Sequence, residues 1–210
     1  MSYATDHELH KSAIIKRVTN QFQSSINVKS ASLSALKQPI TLASQAIYSA
    51  LQQGNTLYAC GNGGSAADSQ HFVAELVNRF EIERAPLAAV SLTTDTSVLT
   101  AISNDYEYNL VFAKQVQALG RAGDILFVIS TSGNSASIVE AVKSAHEKAM
   151  TVVALTGNCG GTLTHMLRPQ DFEIRVPSNS TARIQETHIL AIHCICDAID
   201  WLYSENQGGH

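Results

Sequence analysis

His71 and Glu75 stand four residues apart, so on a helix they share one face. An imidazole beside a carboxylate can hold a metal ion or move a proton. Just upstream lies Cys60-Gly61-Asn62-Gly63-Gly64-Ser65, where glycines let backbone approach a ligand. Ser65 reads as the N-cap of the helix that follows, whose first N–H groups favour an anion. A loop for a small polar ligand therefore precedes a metal or catalytic pair by one to two turns.

A second loop of the same kind follows an apolar run, Asp124 to Ser130. It reads Thr131-Ser132-Gly133-Asn134-Ser135, and Ser130, Thr131, Ser132 and Ser135 put four hydroxyls around a helix N-terminus. That is a natural seat for phosphate, although serines also cap helices for local reasons. There is no Gly-Lys-Ser/Thr and no lysine in the loop, so a phosphosugar fits better than a nucleoside triphosphate. Late in the chain Gln185 and His193 are eight residues apart. Two turns plus about 80° separate them on a helix, so both reach one site obliquely. A lone histidine on an apolar helix is more often a satisfied core residue, which unaided is the reading for His193; His188 falls three residues after Gln185.

The elements that must position these groups alternate. Residues 6–28 and 31–53 read as two long helices, the second closed by Gly54. Short apolar runs at 56–60, 87–92, 124–130, 151–156 and 172–176 read as strands. Helices are expected near 65–79, 96–103, 107–119, 136–149 and 182–203. Unbroken apolar runs suit parallel strands covered on both faces. The order implies an α/β, three-layer doubly wound fold with a five-stranded parallel sheet. Both Ser/Gly loops then fall at the carboxyl ends of strands, where such sheets bind ligands. The expected division is a helical arm for oligomerisation at 1–54, a sugar-phosphate-binding unit at 55–204 and a tail at 205–210.

Composition bounds the rest. The 210 residues are 45% hydrophobic and 15% charged, which supports one sizeable core rather than disorder. A net charge of −4 gives no general attraction to nucleic acid or anionic lipid. The polar segment Met1–Lys11 has no signal-peptide character and no run spans a bilayer, so a soluble cytoplasmic protein is expected. Cys194 and Cys196 would point about 200° apart on a helix, so the four cysteines read as free thiols rather than metal ligands.

Taken jointly, Cys60–Ser65, His71-Phe-Val-Ala-Glu75, Asn104-Asp105, Ser130–Ser135, Leu155-Thr-Gly157 and Arg183-Ile-Gln-Glu186 resemble the SIS (sugar isomerase) domain, and more narrowly the phosphoheptose isomerases. The similarity runs from the N-terminal helices to Trp201. It implies conversion of sedoheptulose 7-phosphate to a manno-heptose 7-phosphate for lipopolysaccharide core, by a homotetramer with one zinc per subunit. The implied zinc ligands are His71, Glu75, Gln185 and His193. The implied substrate contacts are Asn62, Gly63, Gly64, Glu75, Asn104, Asp105, Ser130, Thr131, Ser132, Ser135 and Gln185. Glu75 is the implied base and His193 the opposing acid.

Other segments, among them Asn78-Arg79-Phe80-Glu81, Ala113-Lys-Gln-Val116 and Cys196-Asp197, resemble a different branch, the SIS proteins that bind the replication initiator DnaA. That branch lacks the glutamate at 75 and the histidine at 193, and carries arginine at 132. This chain keeps Glu75, Ser132 and His193. The site therefore resembles the isomerases while part of the scaffold resembles the adaptors, for which DnaA is the implied partner.

Overall fold

In the computed structural model, the backbone of residues 2–207 and the side chains of 8–206 are described. Five strands, β1 (Leu57–Gly61), β2 (Ala89–Ser91), β3 (Ile125–Ser130), β4 (Thr151–Gly157) and β5 (Phe172–Val176), form one parallel sheet. Its order is β2-β1-β3-β4-β5. The chain leaves β1 toward β2 on one side and β3 lies on the other, so the topological switch falls between β1 and β3. Register pairs Gly61 with Ile129 and Ser130 with Thr156. The two loops therefore leave neighbouring strands side by side, about 4.8 Å apart.

Strand alternation divides the core into two layers. Ile125, Phe127, Ile129, Val153 and Leu155 face a cluster built with α1 (Ser2–Gln52), α2 (Gly64–Val77) and α7 (Thr181–Gln207). Leu126, Val128, Val152 and Ala154 face the opposite way. There they meet α4 (Ala113–Leu119), α5 (Ala136–Glu147) and α6 (Gly161–Met166), with α3 (Thr96–Asp105) at the edge. Burial of both faces explains why the inner strands β1, β3 and β4 read as continuous apolar runs, whereas the edge strands β2 and β5 are only partly buried.

Where two N-terminal helices were expected, one 51-residue helix runs from Ser2 to Gln52. No glycine or proline stands near residues 29–30 to break it. Ser25 Oγ donates to Glu186 Oε2 at 2.7 Å, and the Arg183 guanidinium donates to the Gln21 carbonyl oxygen at 2.7 Å; both contacts tie the middle of α1 to α7. Leu36, Ala43, Ile47 and Leu51 are buried in the sheet-facing cluster, each Leu or Ile contributing about 1.5–3 kcal/mol. Upstream, Ile14, Ile15, Val18, Phe22 and Ile26 are exposed. Gly54, at φ +83°, ends the helix as expected.

Three further expectations change. The helix expected at 107–119 is a 3₁₀ turn (Tyr108–Leu110) followed by α4. α6 was not foreseen: six residues show no period, and its N-cap Gly160 and first residue Gly161 read as a plain turn. α7 continues through Gln207, so residues 205–207 are helix rather than tail, and 208–210 lie outside the described residues. Among the described residues all four cysteines are free, and no helix is long and apolar enough to cross a membrane.

Candidate active site

Helix α2 begins one residue earlier than the sequence suggested. Gly63, at φ +56°, is the N-cap and Ser65 is buried inside the first turn. The tight start brings α2 against α7. A Cβ on Gly64 would stand 2.6 Å from Gln185 Nε2, so only glycine leaves that amide its place.

One level further along, His71 Nε2 and His193 Nε2 are 3.0 Å apart, one donating and the other accepting. Glu75 Oε1 is 3.3 Å from His71 Nε2. The Phe80 ring stacks on His193, with centroids 5.6 Å apart and planes 27° from parallel. Gly64 meets Gln185 and His71 meets His193, so the helices run side by side in one direction. Expected ligands from opposite ends of the sequence thus converge on one seam.

Two imidazole nitrogens and a carboxylate oxygen suit zinc. Tetrahedral ligands about 2.0–2.1 Å from zinc lie roughly 3.3 Å from one another, close to both observed separations. Among the described residues no three or more His, Cys, Asp or Glu are grouped so as to hold a metal ion as they stand. Gln185, a neutral amide, sits by the glycine loop.

His188 is the core histidine of α7. It is fully buried, and its Nε2 donates to the Thr156 carbonyl at 2.9 Å. Its Nδ1 has no partner among the described residues. Burial pushes its pKa down to about 4, the bond to Thr156 opposing in part, so the ring is neutral near pH 7.

The serine loop is built differently. Ser135 begins α5 without a side-chain capping bond. Its hydroxyl lies 3.2 Å from Ser130 Oγ instead, so local capping does not account for that serine. Asn134 Oδ1 accepts from the Thr162 N–H and hydroxyl, both at 2.9 Å, while its Nδ2 donates to the Ser132 carbonyl. Gly133, at φ +66°, packs so closely on Gly160 that a Cβ would overlap the Gly160 carbonyl. Ser132 is exposed and Thr131 half-buried, so these hydroxyls are open to a ligand.

A bridge crosses the switch point. Asn62 Nδ2 donates to Ser137 Oγ at 3.0 Å, and Tyr108 Oη donates to Asn62 Oδ1 at 2.7 Å. The Asn62 amide is thus engaged at both ends in joining the two loops. Asn104 and Asp105 pair with each other at the exposed end of α3; the side chain that crosses to Asn62 is Tyr108. Tyr108 and Ser137 escaped the sequence reading, and Phe80 and Asn134 stood there within longer segments without a role of their own. Only Tyr108, an aromatic shortly after Asn104-Asp105, carried a local signal.

Residues 21–157 match the family described as the SIS domain. The chain is 54% identical to a phosphoheptose isomerase of Azoarcus sp. (strain BH72) over 189 residues, 90% of this chain and 96% of that protein. It is similar in structure to phosphoheptose isomerase GmhA from Neisseria gonorrhoeae, with a TM-score of 0.85, 52% identity and coverage of 89% and 98%. A phosphoheptose isomerase from Francisella tularensis superposes with a TM-score of 0.87 at 46% identity, covering 89% and 98%.

Proposed function

The chain belongs to the SIS-domain family, in its phosphoheptose isomerase branch, and we propose that it works through the α2–α7 seam and the β3–α5 serine loop together. It is an aldose–ketose isomerase converting sedoheptulose 7-phosphate to D-glycero-D-manno-heptose 7-phosphate, on the route to the heptose of lipopolysaccharide core. The observation that carries the residue assignment is the convergence of His71, Glu75 and His193, from two distant helices, at 3.0 and 3.3 Å.

The phosphate binds the hydroxyls of Ser130, Thr131, Ser132 and Ser135 at the start of α5. The sugar extends along Gly63 and Gly64 toward the seam, with Asn62, Asn104, Asp105 and Gln185 completing the contacts. Glu75 removes a proton from C1 while His193 protonates the C2 carbonyl oxygen, giving the enediol. Glu75 then returns its proton to C2 and His193 takes the O1 proton, leaving the aldehyde. Acid–base help of this kind contributes roughly 10²–10⁴-fold. His71, Glu75, Gln185 and His193 are the residues that would hold zinc, one per subunit. When bound there, zinc supplies a Lewis acid that polarises the carbonyl.

Two further proposals follow from surfaces. The exposed apolar residues Ile14, Val18, Phe22 and Ile26 on α1 support self-association as a homotetramer. Four free thiols support a reducing, cytoplasmic setting. Incubation with sedoheptulose 7-phosphate tests the function: an aldose phosphate should form, and none should form if the reading is wrong. Elemental analysis after growth in ample zinc tests the metal, with loss of zinc expected in His71→Ala and His193→Ala; a zinc-free wild-type protein would overturn that assignment.

A further inference from the structure

The α2–α7 seam has a third level beyond Gly64–Gln185 and His71–His193. Arg84 follows α2, and its side chain is only 1% exposed against 5% for Asp200 on α7. Arg84 Nε donates to Asp200 Oδ1 at 2.8 Å, and its other nitrogens donate to the carbonyls of Leu76, Ala85 and Glu75. Asp200 Oδ2 accepts the backbone N–H groups of Glu81 and Ile82 at 3.0 and 3.2 Å. Both charges are therefore nearly enclosed and multiply bonded.

A buried ion pair is no stabiliser by default, because packed apolar residues of similar volume often do as well. An apolar pair could not, however, hold the orphan Glu75 carbonyl at the end of α2 and two loop N–H groups at once. Arg84 grips the peptide of Glu75 itself. Asp200 lies seven residues after His193, two turns less about 20°, so both share one face of α7. The Glu81–Ile82 backbone held by the same carboxylate directly follows Phe80, the ring stacked on His193. Glu75, His193 and Phe80 thus hang from one carboxylate.

We propose that Arg84 and Asp200 are positioning residues for the isomerisation, fixing Glu75 against His193 and holding Phe80 over the His193 ring; the inference rests on the site reading given above. None of their hydrogen bonds reaches the serine loop, which stands at the carboxyl end of β3. Their loss misplaces the acid–base pair and leaves phosphate binding intact.

The test is Asp200→Asn, which keeps shape and removes the charge. A misplacement of about 1 Å costs ~10²-fold in rate, and lost support around metal ligands costs roughly 10–100-fold in metal affinity. We expect kcat to fall by about that range with KM changed less than about threefold, and zinc to pass to a competing chelator at correspondingly lower concentration. Arg84→Lys should not rescue, since one ammonium cannot span the carboxylate and two carbonyls. On the residual rate of His193→Ala, adding Asp200→Asn should cost less than it does in the wild type, because part of its effect acts through His193. If Asp200→Asn does not fold, Phe80→Ala reads the same arrangement at the rim, with kcat lowered and Phe80→Tyr restoring it.

A folded Asp200→Asn protein with wild-type kcat and zinc retention overturns the proposal. So does an undiminished loss on the His193→Ala background, or, in the rim test, a Phe80→Ala enzyme with unchanged kcat. An inert His193→Ala substitution would instead overturn the site assignment beneath it.

Discussion

In the β3–α5 loop the groups that shape the backbone come from near at hand. Ser130 faces Ser135, Asn134 bonds Ser132, and the neighbouring loop supplies Thr162 and Gly160. In the α2–α7 seam, residues more than a hundred positions apart meet at every level: Gly64 with Gln185, His71 with His193, Arg84 with Asp200. The loop can grip a phosphate with little help from the rest of the fold. The seam works only if two helices are held in register. Binding should therefore be robust and local, whereas the chemistry should be sensitive to distant packing.

That contrast can be broken by substitution. The largest effect is expected from His193→Ala, which removes the acid and should lower kcat roughly 10²–10⁴-fold with KM little changed; steady-state kinetics decide it. Ser132→Arg attacks the other region. It puts a long guanidinium at the proposed phosphate seat and should lower turnover about 10²-fold by displacing the sugar, with Tm nearly unchanged because Ser132 is an exposed loop residue. A silent Ser132→Arg would remove the loop from the mechanism.

Smaller consequences for the site follow from the flanking structure. Phe22→Asp on the exposed face of α1 should lower the mass of the proposed tetramer in light scattering; an unchanged mass would move the interface elsewhere. His188 binds a proton less readily folded than unfolded, so its contribution is complete above its usual pKa near 6.5. It drains as pH falls from there toward about 4, amounting to on the order of 3 kcal/mol. Denaturant midpoints at pH 7.5 and 5 should differ in that direction, and His188→Asn should flatten the difference.

The distinction also governs what could be read in advance. The strand expected at 124–130 stands within a residue of its apolar run, because a doubly covered strand writes its burial into consecutive residues; the edge strand Phe172–Val176 alternates instead, with Arg175 exposed. The hydroxyls of Ser130–Ser135 were visible for the same local reason. Arg84 and Asp200 carried no such mark: a charged residue after a helix and another near a chain end look solvated until the fold encloses them. His193 and His188 were alike in sequence, and only the rotation of α7 sends one to the seam and the other to the Thr156 carbonyl. The single α1 was missed because its continuity depends on contacts with α7.

The most direct test of the account is Glu75→Gln, with sugar-phosphate binding measured by calorimetry and aldose formation followed in the same preparation. The substitution preserves shape and removes the base. Binding within a few-fold of wild type and no detectable aldose phosphate is the predicted result. Aldose formation near the wild-type rate would contradict it.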